Sequence, residues 1–457
     1  MTQTMLVRDA IVVTVDREGQ IFDNGAVVWR GDRIIDVGPT EEVTARWPDS
    51  DRVINGSGKA VVPGFVNTHM HSLNSSIRGM ADDALGPLWL NTFINPMHQA
   101  ATADDAYAMA RLTYFEALRS GTTCGLDMAR FMDRCADAAA ELGFRVVVSP
   151  YAANVGGYEY FETFEGNERL VKDRHNSADG RVKVWFGIEM ITYSTRDHYL
   201  KARRAADHYG VGIHLHANCE VNECRYAREH YGAPPLELFY QWGILGSDVV
   251  AAHCVVLTES EVNHLVETGT SVAHCPQSGM KVALGTAPVP ELLSSGVNVC
   301  LGTDGGAENN AVNMVETLKF TALMHKLNKL DPTVMPAEKV LELATMGGAR
   351  ALGLDKDIGS LEVGKKADLV IFDLRHPYWT PIVRGPNCNI VSQLVYSAQG
   401  DSVDTVVVDG RVLVEGGQLL TADQGEVIER ANRVALDMAD RREVFAQSRD
   451  REFDSHF

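Results

Sequence analysis

Short apolar runs, each closed by a polar or glycine-containing turn, recur through the middle of the chain. They are VVPGFVN (61–67), GTTCGLDM (121–128), FRVVVSP (144–150), VKVWFGIEM (182–190), GVGIHLHA (210–217), DVVAAHC (248–254), GTSVAHC (269–275) and GVNVCLGTD (296–304). Between them lie stretches with apolar residues three and four apart, such as DAYAMARLTYFEALRS (105–120) and STRDHYLKARRAADHYG (194–210). The short runs read as strands buried on both faces, and the longer periodic stretches as amphipathic helices. Strand–helix alternation repeated this way predicts an α/β fold, with parallel strands closed into a (β/α)8 TIM-type barrel. Such a barrel carries its chemistry at the C-terminal ends of its strands.

The two ends of the chain follow a different pattern. Residues 1–60 alternate polar and apolar positions in MLVRDAIVVTV and GAVVWRGDRIIDVG, broken by Gly and Asp-Arg turns. A matching set returns in IGSLEVGKKADLVIFDL and VDTVVVDGRVLVEGG. These segments predict one small β-sandwich built from both chain ends, 1–60 with 358–425, flanking a catalytic barrel at 61–357. The remainder, 426–457, is expected to be a helical tail, with the amphipathic pattern running from about 425 to 446. Packing or an oligomer contact is its expected use.

Composition narrows the class. The 457 residues are 45% hydrophobic, enough for a large core, and the formal charge of −19 repels nucleic acid and anionic membranes. Neither is therefore expected as a partner. No apolar run approaches the roughly 18 residues of a membrane span. The N-terminal stretch lacks the basic-then-apolar pattern of a secretion signal. The eight cysteines form no C-x-x-C pair. Reduced thiols and a cytoplasmic location are expected.

The strand ends carry the candidate chemistry. The first barrel strand finishes in Asn67-Thr68-His69-Met70-His71, and residues two apart on a strand share a face. His69 and His71 then point together into the barrel mouth as half of a divalent-metal site. Strand five ends with His214, His216 and Asn218, strand six with His253, strand seven with His274, and strand eight with Asp304. A row of such endings at predicted strand C-termini marks a functional site.

NTHMH, HLHAN, AAHC, HCPQSGMKVALGTAPVP and LGTDGG together resemble the amidohydrolase superfamily, in its branch of s-triazine hydrolases and nucleoside or nucleobase deaminases. The resemblance covers residues 1 to about 420, including GSLEVGKKADLVIFDL. It implies one divalent metal per subunit held by His69, His71, His216 and Asp304. Zn2+ is the first choice, and Fe2+ or Co2+ can replace it. It further implies that His253 orients the attacking water and that Asp304 moves its proton. Members are often homo-oligomers acting on small molecules, and both are expected here. VKVWFGIEM offers no lysine to bridge a second metal.

Departures from the branch shape the expected reaction. The ring deaminases place a glutamate three residues after the strand-five histidine, where this chain has Cys219, with Glu220 next. Either Cys219 fills that place and the ring-protonating acid is missing, or a one-residue bulge returns Glu220 to it. HCPQSG carries Gly279 for the usual asparagine, and Glu308 stands where triazine enzymes have a small residue. Glu308 is either a pocket carboxylate or a solvated loop acid. Without ring protonation the favoured expectation is hydrolysis of a C–N bond in a urea, carbamate or amide, as in the phenylurea herbicide hydrolases and the related molinate hydrolase. The alternative is an aminohydrolase or dechlorinase of a triazine, pterin or nucleobase-like ring. Asn218, His274, Cys219, Glu220, Glu308 and Trp89 are the expected substrate contacts, with Leu85, Leu88, Phe93 and Tyr193 as further apolar wall. Cys124 and Asp127 on strand two, and Arg350 beyond the barrel, are expected to be structural.

Overall fold

A computed structural model describes residues 3–84 and 86–453. Its barrel strands are Phe65–Met70, Thr122–Ala129, Arg145–Pro150, a fourth in two halves (Val182–Val184 and Phe186–Ile188), Ile213–Ala217, Val249–His253, Ser271–His274 and Val299–Leu301. Every residue of the first three is buried, because the barrel interior takes one face and the helices the other. All neighbours pair in parallel. The halves of strand four meet at Trp185, whose N–H donates to Val148 O while that of Phe186 donates to Gly212 O, both at 3.0 Å. The ring closes where Thr68 Oγ1 donates to Leu301 O at 2.9 Å and Asp304 N to His69 O at 3.0 Å.

The expected strand 61–67 is in fact the junction of two. Lys59–Pro63 belongs to the terminal sheet and Phe65–Met70 to the barrel, with Gly64 between them. A Cβ on Gly64 would stand 2.0 Å from Thr123 Oγ1, so only glycine lets the chain pass there. Helix Ala103–Arg119 starts at Thr102, whose side chain forms a reciprocal capping box with Asp105.

Strands from both chain ends hydrogen-bond into one nine-stranded sheet, in which Lys59–Pro63 lies between Thr4–Val13 and Leu369–Asp373. The sheet is continuous and curls on itself. Trp29 Nε1 donates to Gly410 O at 3.0 Å, across strands that are not neighbours in the sheet. Both faces are buried. Ala10, Val12 and Trp29 fill the inside of the curl, whereas Ile11, Val13 and Phe372 face the barrel.

Sheet and barrel are locked by charge. Arg145, at the start of strand three, donates to both carboxylate oxygens of Asp368 (2.9 and 3.0 Å) and to Asp409 at 3.1 Å. Burial works against the guanidinium, but the two carboxylates win and raise its pKa. This accounts for Lys366 and Asp368 of the C-terminal motif, since Lys366 also bonds Asp409 at 2.6 Å.

The tail forms helix Gln424–Phe453, longer than its apolar pattern. It packs on Ala103–Arg119, and Arg441 binds Ala100 O at 2.7 Å and Asp105 at 2.8 Å. Residues 454–457 and Leu85 lie outside the described residues. No described helix is long and apolar enough to cross a membrane.

Candidate metal centre and active site

Five buried side chains from four strand ends meet at the barrel mouth. Asp304 Oδ1 lies 3.2 Å from His71 Nε2 and 3.6 Å from His69 Nε2. His216 Nε2 faces His71 Nε2 at 3.4 Å, and His253 Nε2 is 3.8 Å from Asp304 Oδ2. His69, His71 and Asp304 form one cluster of donors within metal-binding reach; His69, His216 and His253 form an overlapping second. His253 and Asp304 hold left-handed backbones (φ 73 and 62), strain of the kind stored at functional sites.

The hydrogen bonds behind the imidazoles settle their tautomers. His71 Nδ1 donates to Met128 O and His216 Nδ1 to Glu189 O, both at 2.7 Å. Each leaves an Nε2 lone pair facing inward. For His69 the chain is longer. Ser149 Oγ donates to Asp127 O (3.2 Å), so it accepts from His214 Nδ1 (2.8 Å), and His214 Nε2 accepts from His69 Nδ1 (2.8 Å). His69 Nε2 is left buried with no hydrogen-bond partner. Three inward lone pairs beside one carboxylate repel one another unless a cation sits among them, and partners behind each ring are the usual support of a metal site.

Electrostatics agrees. Burial pulls His69, His214 and His216 well below the ordinary imidazole value, keeping them neutral as ligands must be. His71 is the exception: burial acts to lower it, but its hydrogen bond to Asp304 wins and holds it up at about 9, so a cation must displace the proton from Nε2 before that nitrogen can be a ligand. Asp304 is correspondingly lowered against its own burial by His71 and His253. Burial, then the charge of Asp304, raises Glu308 to about 7, and burial raises Glu189 to about 8.

The other expected contacts divide. Trp89, Cys219, Glu220 and Glu308 line the cavity above His71, His216, His253 and Asp304. Asn218 does not face it: a left-handed φ of 53 turns the side chain outward. There Nδ2 donates to Val256 O (2.8 Å) and Glu261 (2.7 Å), and Oδ1 accepts from Leu236 N (3.0 Å). His274 is also corrected, since it pairs behind the barrel with His325 at 3.1 Å. Tyr193 is part of the wall, but Leu88 is 56% exposed and Phe93 packs beneath Arg442. Asp127 anchors the loop after His71 by accepting from Ser72 N and Tyr114 Oη. Arg350 pairs at the surface with Glu342. Gly279 packs tightly, a Cβ there reaching 2.8 Å from Gly285 O.

Glu189, Tyr151, His98 and Ser278 line the same cavity and were not anticipated. Glu189 and Tyr151 directly follow strands four and three, so the strand-tip rule would have found both. His98 lies in helix Asn95–Ala100, where no pattern marks it.

Glu223 permits a pH prediction. It is buried on helix Val221–Tyr231, accepts the Cys219 N–H at 2.7 Å, and is raised by burial to about 7. A carboxyl raised on folding supports the fold fully below its unfolded pKa of about 4.5 and loses that support as pH rises through about 7. Glu223→Gln should match the parent's unfolding free energy near pH 4.5 and exceed it at pH 8.5, by up to about 3 kcal/mol. A pH-independent difference between the two would reject this assignment.

Residues 60–413 match the amidohydrolase family. The chain belongs to that family. Residues 25–49 also match a bacterial imidazolonepropionase-like composite domain. The 5-methylthioadenosine/S-adenosylhomocysteine deaminase of Desulforudis audaxviator is 40% identical over 432 residues, covering 94% of this chain and 98% of the relative. The 5'-deoxyadenosine deaminase of Methanosarcina mazei is 37% identical over 438 residues, 96% of this chain and 99% of the relative. A zinc-bound adenosine deaminase from Xanthomonas campestris superposes with a TM-score of 0.90 at 29% identity, covering 95% of this chain and 98% of the neighbour. The zinc complex of the Arthrobacter aurescens atrazine chlorohydrolase, at TM-score 0.86 and 24% identity over 94% of this chain and all of that one, shares the fold. This amidohydrolase is a C–N hydrolase with a His/Asp site for a divalent cation, zinc as in those neighbours.

Proposed function

We propose that this amidohydrolase is an aminohydrolase that removes an amino group, as ammonia, from a heteroaromatic ring of the purine-nucleoside type. The observation that carries the reading is Glu220, whose side chain lines the same cavity as His216, His253 and Asp304. Strand five ends at Ala217, Asn218 takes its left-handed turn, and Glu220 caps helix Val221–Tyr231 in extended geometry. That turn supports a reading in which Asn218 is the extra residue of a bulge and Glu220, rather than Cys219, is the acid. The names of the curated relatives support the same chemistry.

Zinc held by His69, His71, His216 and Asp304 would supply an acidified water, its pKa lowered from 15.7 toward about 7. His253 Nε2 orients that water, and burial keeps the imidazole neutral and able to accept a hydrogen bond. Asp304 Oδ2, 3.8 Å from His253 Nε2, would take a proton from the attacking water and return it to the departing amine. Glu220 would protonate the ring nitrogen beside the attacked carbon and recover a proton from the added hydroxyl as the C–N bond breaks, leaving ammonia and a ring carbonyl.

The second reading is cleavage of a urea or carbamate of phenylurea type. Cys219 at three residues past His216 favours it, as does the aryl-sized wall of Leu90, Ile94, Tyr151, Phe161 and Tyr193. Ammonia release from 5'-deoxyadenosine, compared with aniline release from a dimethylphenylurea, separates the two. Glu220→Gln should lower kcat for ammonia release by roughly 10²–10⁴-fold, and Cys219→Ala by less than about threefold. Equal effects of the two variants would remove Glu220 as the acid. The thiols, all free, suit the cytoplasm. Exposed Leu323, Leu327 and Leu330, along helix Met314–Lys329 and at its C-terminal cap, suit a homo-oligomer.

A further inference from the structure

The cavity's wall constrains the charge of its guest. Among the described residues, its ionisable side chains besides Cys219, Tyr151 and Tyr193 are four carboxyls (Asp304, Glu189, Glu220, Glu308) and four imidazoles. The rest of the lining is apolar, aromatic or neutral polar. Two cations stand behind the wall and both are engaged. Arg130 donates to His98 O and lies over the rings of Phe131 (4.5 Å) and Tyr160 (5.9 Å). Lys281 bonds Ala307 O and Asp82, each at 2.6 Å.

The wall is equipped for neutral partners. Tyr151 and Phe161 stack at 5.4 Å and 17°, making a flat aromatic surface. Beside it are buried polar atoms with no hydrogen-bond partner: Trp89 Nε1, both ring nitrogens of His98, and Glu189 Oε2. These can donate to and accept from uncharged groups of a ring-bearing guest. Away from the metal, an anionic group would lose its water here, face carboxyls, and meet no side-chain cation in return.

We infer that the site selects uncharged aryl or heteroaryl substrates and rejects those carrying a carboxylate or phosphate. The inference deepens the proposed function by naming the charge class within it. It separates compounds named for the relatives: 5'-deoxyadenosine and 5-methylthioadenosine belong to the accepted class, whereas S-adenosylhomocysteine carries a carboxylate.

The test uses zinc-loaded enzyme and pairs of equal shape. Adenosine 5'-carboxamide is compared with adenosine 5'-carboxylate, and a dimethylphenylurea bearing a para carboxamide with its para carboxylate. Affinity is read by calorimetry, and ammonia or aniline release is followed separately. The amide should bind at least 100-fold more tightly than its acid in whichever pair binds. Leu284→Arg, which adds a cation to the cavity lining, should shift that ratio at least tenfold toward the acid. Equal affinities within a pair, or no binding by either amide, would overturn the inference. Failure of the proposed deamination shows separately, as a nucleoside amide that binds without releasing ammonia.

Discussion

Asp304→Asn should abolish turnover while leaving the barrel folded. Asp304 sits within 3.8 Å of the ring nitrogens of His69, His71 and His253 and carries the negative charge that a dication among them needs. Asparagine keeps the volume and can still accept from Gly305 N, the bond Oδ1 makes at 2.9 Å. It removes both the ligand charge and the atom that moves the water's proton. Since proton transfer alone contributes up to about 10⁴-fold, kcat/KM should fall by on the order of 10⁴ or more. Circular dichroism should match the parent, and metal content should drop. A variant with activity within tenfold of the parent would remove Asp304 from both roles.

The second large effect is on stability. Arg145→Met should destabilise the protein by about 3–5 kcal/mol, because it leaves Asp368 and Asp409 buried without their common cation. All three side chains are at most 7% exposed, so solvent screening gives little relief. The loss is read from denaturant unfolding of the metal-loaded protein. A change under about 1 kcal/mol would mean that Lys366 and Arg181, which also reach Asp409, carry the junction unaided.

Periodicity exposed the barrel because its strands are buried on both faces and its helices on one. Parity along a strand aims His69, His71 and His216 at the barrel mouth, where their rings meet, since each lies within regular strand geometry or one residue past it. The errors begin where that geometry ends. Asn218 follows strand five by one residue, and its left-handed backbone reverses the side chain that parity aims inward. The same turn brings Glu220 to the cavity lining beside Cys219, a placement that counting residues along a strand does not give. His274 is the last residue of a strand only four long, and a buried imidazole on a neighbouring helix, His325, draws it outward. Gly64 splits an apolar run that carries no sign of two sheets, because the constraint comes from Thr123, far away in sequence. His98 stayed hidden for a similar reason, as a helical residue brought to the cavity by tertiary packing alone.

Metal titration tests the central claim most directly. Chelated, metal-free protein is titrated with zinc while bound metal and turnover are followed together. Activity should rise linearly and stop at one zinc per chain, and His69→Ala should abolish both binding and activity. Full activity in metal-free protein, or a plateau at two ions per chain, would contradict a single cation held by His69, His71, His216 and Asp304.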